Sequence, residues 1–358
     1  MGQGTERRRA STATGTDAAS VLEDTAVADE LRPGARMALD SCLGLSAGDR
    51  FVLVIDWGSD AIAAALYEQA REIGAIVRVY RLGPGHLRNP RIVERVQAAL
   101  DDAQVSVLLC DVDGMPRDFR RKMVPTRGPR RHGHMVAVTR PMLEQSLRAD
   151  PDEIEVVGRR LLVRLAEAKS LEVSAPGGTR LRVELSPRHR WHHASGRLRE
   201  PGWTNLPGGE AFTAPLSVEG VLVPDGGVWV GDGVELSGGS KLKLSFADGV
   251  LTNVEGGDAV GPFEAALGDV AGRRRVGQIG FGTNIGVIAP IGALLQDLKL
   301  PGLHFSLGHT VPELTGAAFD SDVEIPLLIR RATVLADGVP LMTAGRYQSA
   351  IRDLRRED

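Results

Sequence analysis

A chain of 358 residues exceeds the usual span of one hydrophobic core, so two domains are expected, and an apolar content of 42% supports a large interior. A net charge of −3 predicts neither nucleic-acid nor membrane binding, and no apolar run approaches the roughly 20 residues of a membrane span. The two cysteines, Cys42 and Cys110, both lie in apolar surroundings, which argues against a disulfide framework or a thiolate zinc site and fits a reducing cytoplasm.

The first 28 residues are expected to form a disordered leader. The stretch up to Thr25 is rich in Arg, Ser, Thr, Ala and Gly and lacks the apolar segment of a secretory signal. From Asp29 to Leu43, apolar residues at helical spacing (Ala35, Ala38, Leu39, Cys42) predict a helix, with Pro33 in its first turn. Phe51 to Ile55 is a continuous apolar run and predicts a strand buried on both faces. A helix over 61–73 capped by Gly74, a strand over 76–80, a helix over 90–99 and a strand over 105–110 complete an alternation that predicts a parallel α/β sheet. After the first strand comes Asp56-Trp57-Gly58-Ser59-Asp60. One Gly followed by an acid is a poor pyrophosphate cradle, which argues against a dinucleotide domain.

The basic run from Arg117 to His134 reads as a solvated loop, with an anionic substrate group as the second reading. His132 and His134 have ligand spacing on a strand, but no acid stands beside them. Helices are expected over 141–147 and 151–168. From Leu171 onward, short β runs recur between Gly and Pro turns (218–223, 228–230, 241–246, 250–254), with Asp248-Gly249 as a hairpin turn. The expected fold is an α/β domain over 29–168 followed by a β-rich α+β domain over 169–358.

Four stretches of the second half carry candidate chemistry. Asn205 to Pro215 presents Glu210 after the turn Pro207-Gly208-Gly209 and before a short buried strand. Its residues alone favour a surface-turn Glu over an ion-pair member or a metal ligand. Arg190-Trp191-His192-His193 reads equally as a site wall or as loop histidines. In Gly277 to Asn284, Gly280 and Gly282 leave one strand face bare, so that something else can approach the backbone there; a simple bulge is equally compatible. Asp322 and Glu324, two apart, share one strand face.

Asn205-x-Pro207-x-x-Glu210-x-x-Thr213-Ala214-Pro215 resembles a stretch of the aminopeptidase T family of metallo-aminopeptidases, and the likeness runs from about Gly44 to Asp337. It implies an aminopeptidase T-like fold, a homodimer, and a dinuclear centre of divalent metal (Mn, Fe, Zn or Co) with Glu210 as a ligand. By the same likeness Gln278 stands where the family has a second metal-binding Glu, and His304, in His304-x-x-x-Gly308, matches a ligand His. Val311 stands where the family has its catalytic Tyr, and His309 is near enough along the chain to substitute. Asp322-Val323-Glu324 takes the place of the family's His-x-Asp when Ile325-Pro326-Leu327 is aligned with the related ring-cleaving dihydroxypyridine dioxygenases. Counting back from Asp337-Gly338 instead puts Glu324 at the His and Pro326 at the Asp.

The expected metal set is therefore Glu210, Gln278, His304, Asp322 and Glu324, with Glu210 and His309 as catalytic groups. Trp191, His192, His193 and Asn284 are expected on the substrate side. Carboxylate-rich ligands favour Mn²⁺, Mg²⁺ or Fe²⁺. Three readings stay open at this point: a metal-dependent enzyme cleaving a peptide or other amide, a non-haem iron ring-cleaving dioxygenase, and a protein that has lost the metal and binds a peptide or small molecule.

Overall fold

The computed structural model describes residues 18–112, 115–124, 130–231 and 233–353. Its twenty strands are β1 (Arg50–Ile55), β2 (Ile76–Arg81), β3 (Val105–Cys110), β4 (Arg131–Val136), β5 (Ser170–Ser174), β6 (Arg180–Glu184), β7 (His192–Ala194), β8 (Gly202–Asn205), β9 (Glu210–Thr213), β10 (Ser217–Leu222), β11 (Gly227–Val230), β12 (Val234–Glu235), β13 (Lys243–Ala247), β14 (Val250–Glu255), β15 (Val276–Gly282), β16 (Gly302–Gly308), β17 (Glu324–Ile329), β18 (Thr333–Ala336), β19 (Val339–Thr343) and β20 (Arg346–Tyr347). They form three sheets. The fold class is the one expected: a parallel α/β region at the N-terminal side and antiparallel sheets after it.

The first sheet has the order β2-β1-β3-β4-β8, and every pair in it is parallel. β1 is buried along Phe51–Ile55, as its unbroken apolar run requires. Helix Asp60–Ile73 ends at Gly74, whose φ of 88° is the left-handed cap that glycine adopts without strain. Two expectations fail here. The basic run is not a solvated loop: Arg117–Lys122 is helical, Arg131–Val136 is a sheet strand, and Arg120, Arg130 and His132 are buried. Arg120 satisfies part of its guanidinium on the carbonyls of Val112 and Met115, and Arg130 pairs with Asp101, so these charges hold the chain together locally. Residues 125–129 of that run lie outside the described residues. Nor is all of the leader disordered. Ala18–Glu23 is a helix whose Ala18 and Leu22 enter the core, and Glu23 accepts a hydrogen bond from Tyr67 Oη at 2.7 Å. Met1 to Asp17 lie outside the described residues.

After the helix Pro151–Leu165 the chain enters an eight-stranded antiparallel sheet, β14-β13-β10-β6-β5-β18-β19-β20, and a seven-stranded one, β12-β11-β17-β16-β15-β9-β7. Between them β8 returns to the edge of the first sheet, beside β4. Asp248 and Gly249 both have positive φ, 49° and 71°, as the tight β13–β14 hairpin demands. The facing sides of the two antiparallel sheets make one core. Ala211, Ile279, Phe281, Leu303, Phe305, Leu307, Ile325 and Leu327 line it from one sheet, and Leu171, Val173, Val183, Val218, Leu244 and Val334 from the other. Because side chains alternate along a strand, Glu210, Gly280, Gly282, His304 and Ser306 lie on the opposite side of the seven-stranded sheet. Among the described residues no helix is long and apolar enough to cross a membrane.

Candidate functional site

Glu210 opens β9 directly after the Pro207-Gly208-Gly209 turn, and Gly282 of β15 is its cross-strand partner. Gly209 has a φ of 114°, and a Cβ there would lie 2.5 Å from Asn284 Cβ. Asn284 closes this corner: its amide nitrogen donates to the carbonyls of Ser146 (3.0 Å) and Gly208 (2.9 Å), and its oxygen accepts from Gly286 N. It is fully buried and already bonded to three segments of the chain. It therefore holds the turn before Glu210 in place.

The two strand glycines do what their bare face suggested. At Gly280 an added Cβ would lie 2.1 Å from His304 Nε2, so the imidazole crosses β15 over that glycine. At Gly282 a Cβ would lie 1.9 Å from the Leu300 carbonyl oxygen, because the segment Lys299–Pro301 crosses there. The two approaches bring His304 and Lys299 to the same carboxylate. His304 Nε2 donates to Glu210 Oε1 at 2.9 Å, and the Lys299 ammonium donates to Glu210 Oε2. All three are buried: Glu210 is 9% exposed, Lys299 4% and His304 1%. Burial alone would push the Glu210 carboxyl up, but the Lys299 charge and the His304 hydrogen bond outweigh it and hold the group well below the usual carboxylate range. His304 Nδ1 and Ser306 Oγ are buried and have no hydrogen-bond partner among the described residues.

The other expected ligands do not join this group. Gln278 is buried, but its amide donates to the His309 carbonyl at 2.9 Å. Asp322 is clamped by Arg273 through Nε at 2.8 Å and Nη2 at 2.5 Å, on a side chain 67% exposed. Glu324 lies opposite Gly308, whereas Leu328 lies opposite His304, so at strand spacing Glu324 is about 13 Å along the sheet. Asp322 and Glu324 do not share one strand face as expected, because β17 begins at Glu324 and Asp322 precedes it and turns to Arg273. His309 Nδ1 meets Asp320 Oδ1 at 2.7 Å, away from Glu210's partners. Val311 has a φ of 52°, an unusual conformation for a β-branched residue, at the start of the short helix Pro312–Thr315.

The aromatic and histidine wall is packed. Trp191 lies against Phe281, ring centroids 6.0 Å apart, and His192 sits edge-on to Phe212 at 5.3 Å. His193 Nε2 meets Thr283 Oγ1 at 3.1 Å, and the bare Gly158 makes room for its ring. Burial lowers the affinity of both His192 and His193 for a proton, opposed by the Glu210 charge at His192 and by Glu155, then Glu210, at His193. In the first sheet His132 Nδ1 meets Ser106 Oγ at 2.8 Å, and burial keeps His132 and His134 neutral.

These residues do not fit the divalent metal that the resemblance implies. Both Glu210 oxygens are occupied by the chain's own donors, the countercharge is an ammonium, and one imidazole is the only other member of the expected set at hand. Among the described residues no group of three or more His, Cys, Asp or Glu is arranged to hold a metal ion. Lys299 is the residue that sequence reasoning missed. Its signal was a lone lysine between apolar neighbours in Leu298-Lys299-Leu300-Pro301.

The architecture is similar to two solved enzymes. The 2,5-dihydroxypyridine dioxygenase from Pseudomonas putida KT2440 superposes with a TM-score of 0.66 at 19% identity, covering 91% of this chain and 98% of that one. AmpT from Thermus thermophilus superposes with a TM-score of 0.65 at 18% identity, covering 89% and 98%. No protein-family profile matches the sequence, and no curated protein matches it either. At these identities the likeness is one of fold.

Proposed function

We propose that this protein works without a divalent metal at Glu210 and His304, as a binding protein for a peptide or small molecule in an aminopeptidase T-like fold. The observation that carries the reading is the Lys299 ammonium on Glu210. A carboxylate that binds a metal must offer a free oxygen to it, and a neighbouring ammonium opposes a divalent cation electrostatically. A hydrolase of the AmpT kind would need a metal to polarise its carbonyl or to acidify a water. A ring-cleaving dioxygenase would need open positions on an iron held mainly by imidazoles and carboxylates. Both alternatives require Lys299 to leave Glu210 and further ligands to arrive from Asp322 or Glu324.

Elemental analysis of protein purified without chelator, followed by calorimetric titration with Mn²⁺, Zn²⁺ and Fe²⁺ under anaerobic conditions, tests the reading. The expected result is no stoichiometric metal and no saturable binding in the parent, with weak divalent-cation binding gained in Lys299→Ala. One equivalent of metal in the parent that is lost in Glu210→Gln would refute it, as would metal-dependent hydrolysis of unblocked di- or tripeptides.

A further inference from the structure

The all-parallel first sheet has its crossover reversal between β1 and β3, since β2 lies on one side of β1 and β3 and β4 on the other. In open α/β sheets the crevice beyond the C-terminal ends of the strands at such a reversal is where ligands bind. Here three loops meet at that edge: Asp56–Ser59 after β1, Leu82–Gly83 after β2 and Asp111 after β3. Asp56 is buried and ties two of them, accepting from Gly58 N at 3.1 Å, Ser59 Oγ at 2.7 Å and Asp111 N at 2.5 Å.

On this fixed base stands Trp57, 60% exposed. The indole is not a loose surface residue. The Arg81 guanidinium lies over it, 5.0 Å from the ring centroid, and Arg81 is itself buried and held in a fork by both Asp60 oxygens, at 2.5 and 3.3 Å. Gly83 is the other half of the seat: a Cβ there would lie 2.5 Å from Trp57 Nε1. Arg81 Nε is buried with no hydrogen-bond partner among the described residues, and Arg81 also lines a cavity of about 70 Å³ with Tyr80, Leu82 and Ile92. A large aromatic group is thus braced by its own chain on one face and presented to solvent on the other, at the topological binding edge of the sheet. An exposed aromatic face is costly in water, and stacking a flat ring on it recovers that cost.

We propose that Trp57 is the stacking plate of a binding site for an uncharged planar heteroaromatic molecule. Charge selects against anions. Asp56, Asp60 and Asp111 stand in the loops that carry the plate, and of the cations near it Arg81 is engaged by Asp60 and Arg120 by chain carbonyls, while Arg95 and His86 line the small cavity beside Arg81. The glycine-rich phosphate cradle that would overcome that balance is missing from Asp56-Trp57-Gly58-Ser59-Asp60. The site lies on a different sheet from Glu210, and its ligand is independent of whether a metal binds there.

The test is the difference in tryptophan emission between the full chain and Trp57→Leu, titrated with adenosine, nicotinamide and adenosine 5′-monophosphate at low salt. Saturable quenching of the Trp57 signal by adenosine or nicotinamide is expected, with the monophosphate about tenfold weaker than adenosine. Quenching should disappear in Trp57→Leu and weaken in Gly83→Ala, both with unchanged far-UV circular dichroism. No quenching by either uncharged probe at millimolar concentration, equal quenching in Trp57→Leu, or tighter binding of the monophosphate would overturn the proposal. So would a Trp57 emission that changes with protein concentration alone, which would make this surface a contact between copies of the chain.

Discussion

Replacing Lys299 by Met keeps most of its volume but removes the cation paired with Glu210. The carboxylate would remain buried beside His304 with one oxygen unanswered. Breaking a buried ion pair by removing one partner costs about 3–5 kcal/mol, because the surviving charge is left in a poor solvent. Glu210→Gln should cost a similar amount from the other side, stranding the ammonium. The double variant Glu210→Gln, Lys299→Met removes both charges at once. Replacement of a whole buried pair by groups of similar volume is often close to neutral, so the double variant should be more stable than either single one. Urea unfolding followed by circular dichroism measures all four proteins, with equal m-values as the check that the same transition is being compared. If Lys299→Met cost less than about 1 kcal/mol, or if the double variant lost the sum of the two single losses, Lys299 and Glu210 would not be a coupled buried pair. The reading of Lys299 as the countercharge that excludes a metal would then fall with it.

Three other outcomes follow from the same geometry. Gly280→Ala should destabilise by about 1–3 kcal/mol in the same urea assay, by driving a Cβ into the imidazole of His304, whereas Gly261→Ala, with nothing within 4 Å, should not. Stability should also fall on acidification in two stages. Burial holds His134 at about 4, below its unfolded value of about 6.5, so the stability it contributes is present above pH 6.5 and is lost as pH falls towards 4. Glu210 is held below its unfolded value of about 4.3, so its contribution is present above that pH and is lost further down. His134→Phe should reduce the first stage, to which the buried His132, His192 and His193 also contribute, and Glu210→Gln should reduce the second in pH-dependent melting curves; curves that both variants leave unchanged would contradict the assignment. Burial pushes the thiols of Cys42 and Cys110 up to about 12, so a thiol reagent at pH 8 should label neither in the native protein and both after unfolding; native labelling would show that these cores open.

Periodicity was most informative where burial is simple. The unbroken apolar run Phe51–Ile55 could only be a strand covered on both faces, and the Gly74 cap and the Asp248-Gly249 turn are demanded by backbone conformations that few residues accept. The basic run misled because charge was read as a sign of solvent. Arg120 is buried on the main-chain carbonyls of Met115 and Val112, five and eight residues before it, and Arg130 on Asp101, 29 residues before it, and composition alone announces neither partner. The leader misled in the opposite sense. Two apolar residues one helical turn apart, Ala18 and Leu22, are enough to dock a short helix on a core that already exists, but they are too few to register against a polar composition.

The candidate site was legible through its glycines more than through its acids. A strand that gives up its side chains at Gly280 and Gly282 invites close approach, and both positions are crossed, one by an imidazole and one by a main-chain segment. What such a strand cannot announce is the charge that arrives. Asp322 and Glu324 were placed by analogy with a ligand pair, yet their positions are settled by register and by Arg273, and both are distant relations in three dimensions. Lys299 lies 89 residues beyond Glu210 and belongs to no spacing that connects the two. Its identity still has a physical signature. A lysine flanked by leucines and followed by proline is in an expensive place unless an anion waits for it, and Glu210, the acid at the head of a fully buried strand, is equally expensive without a cation. Each is the answer to the other's cost, and that mutual requirement assigns the pair where neither motif could.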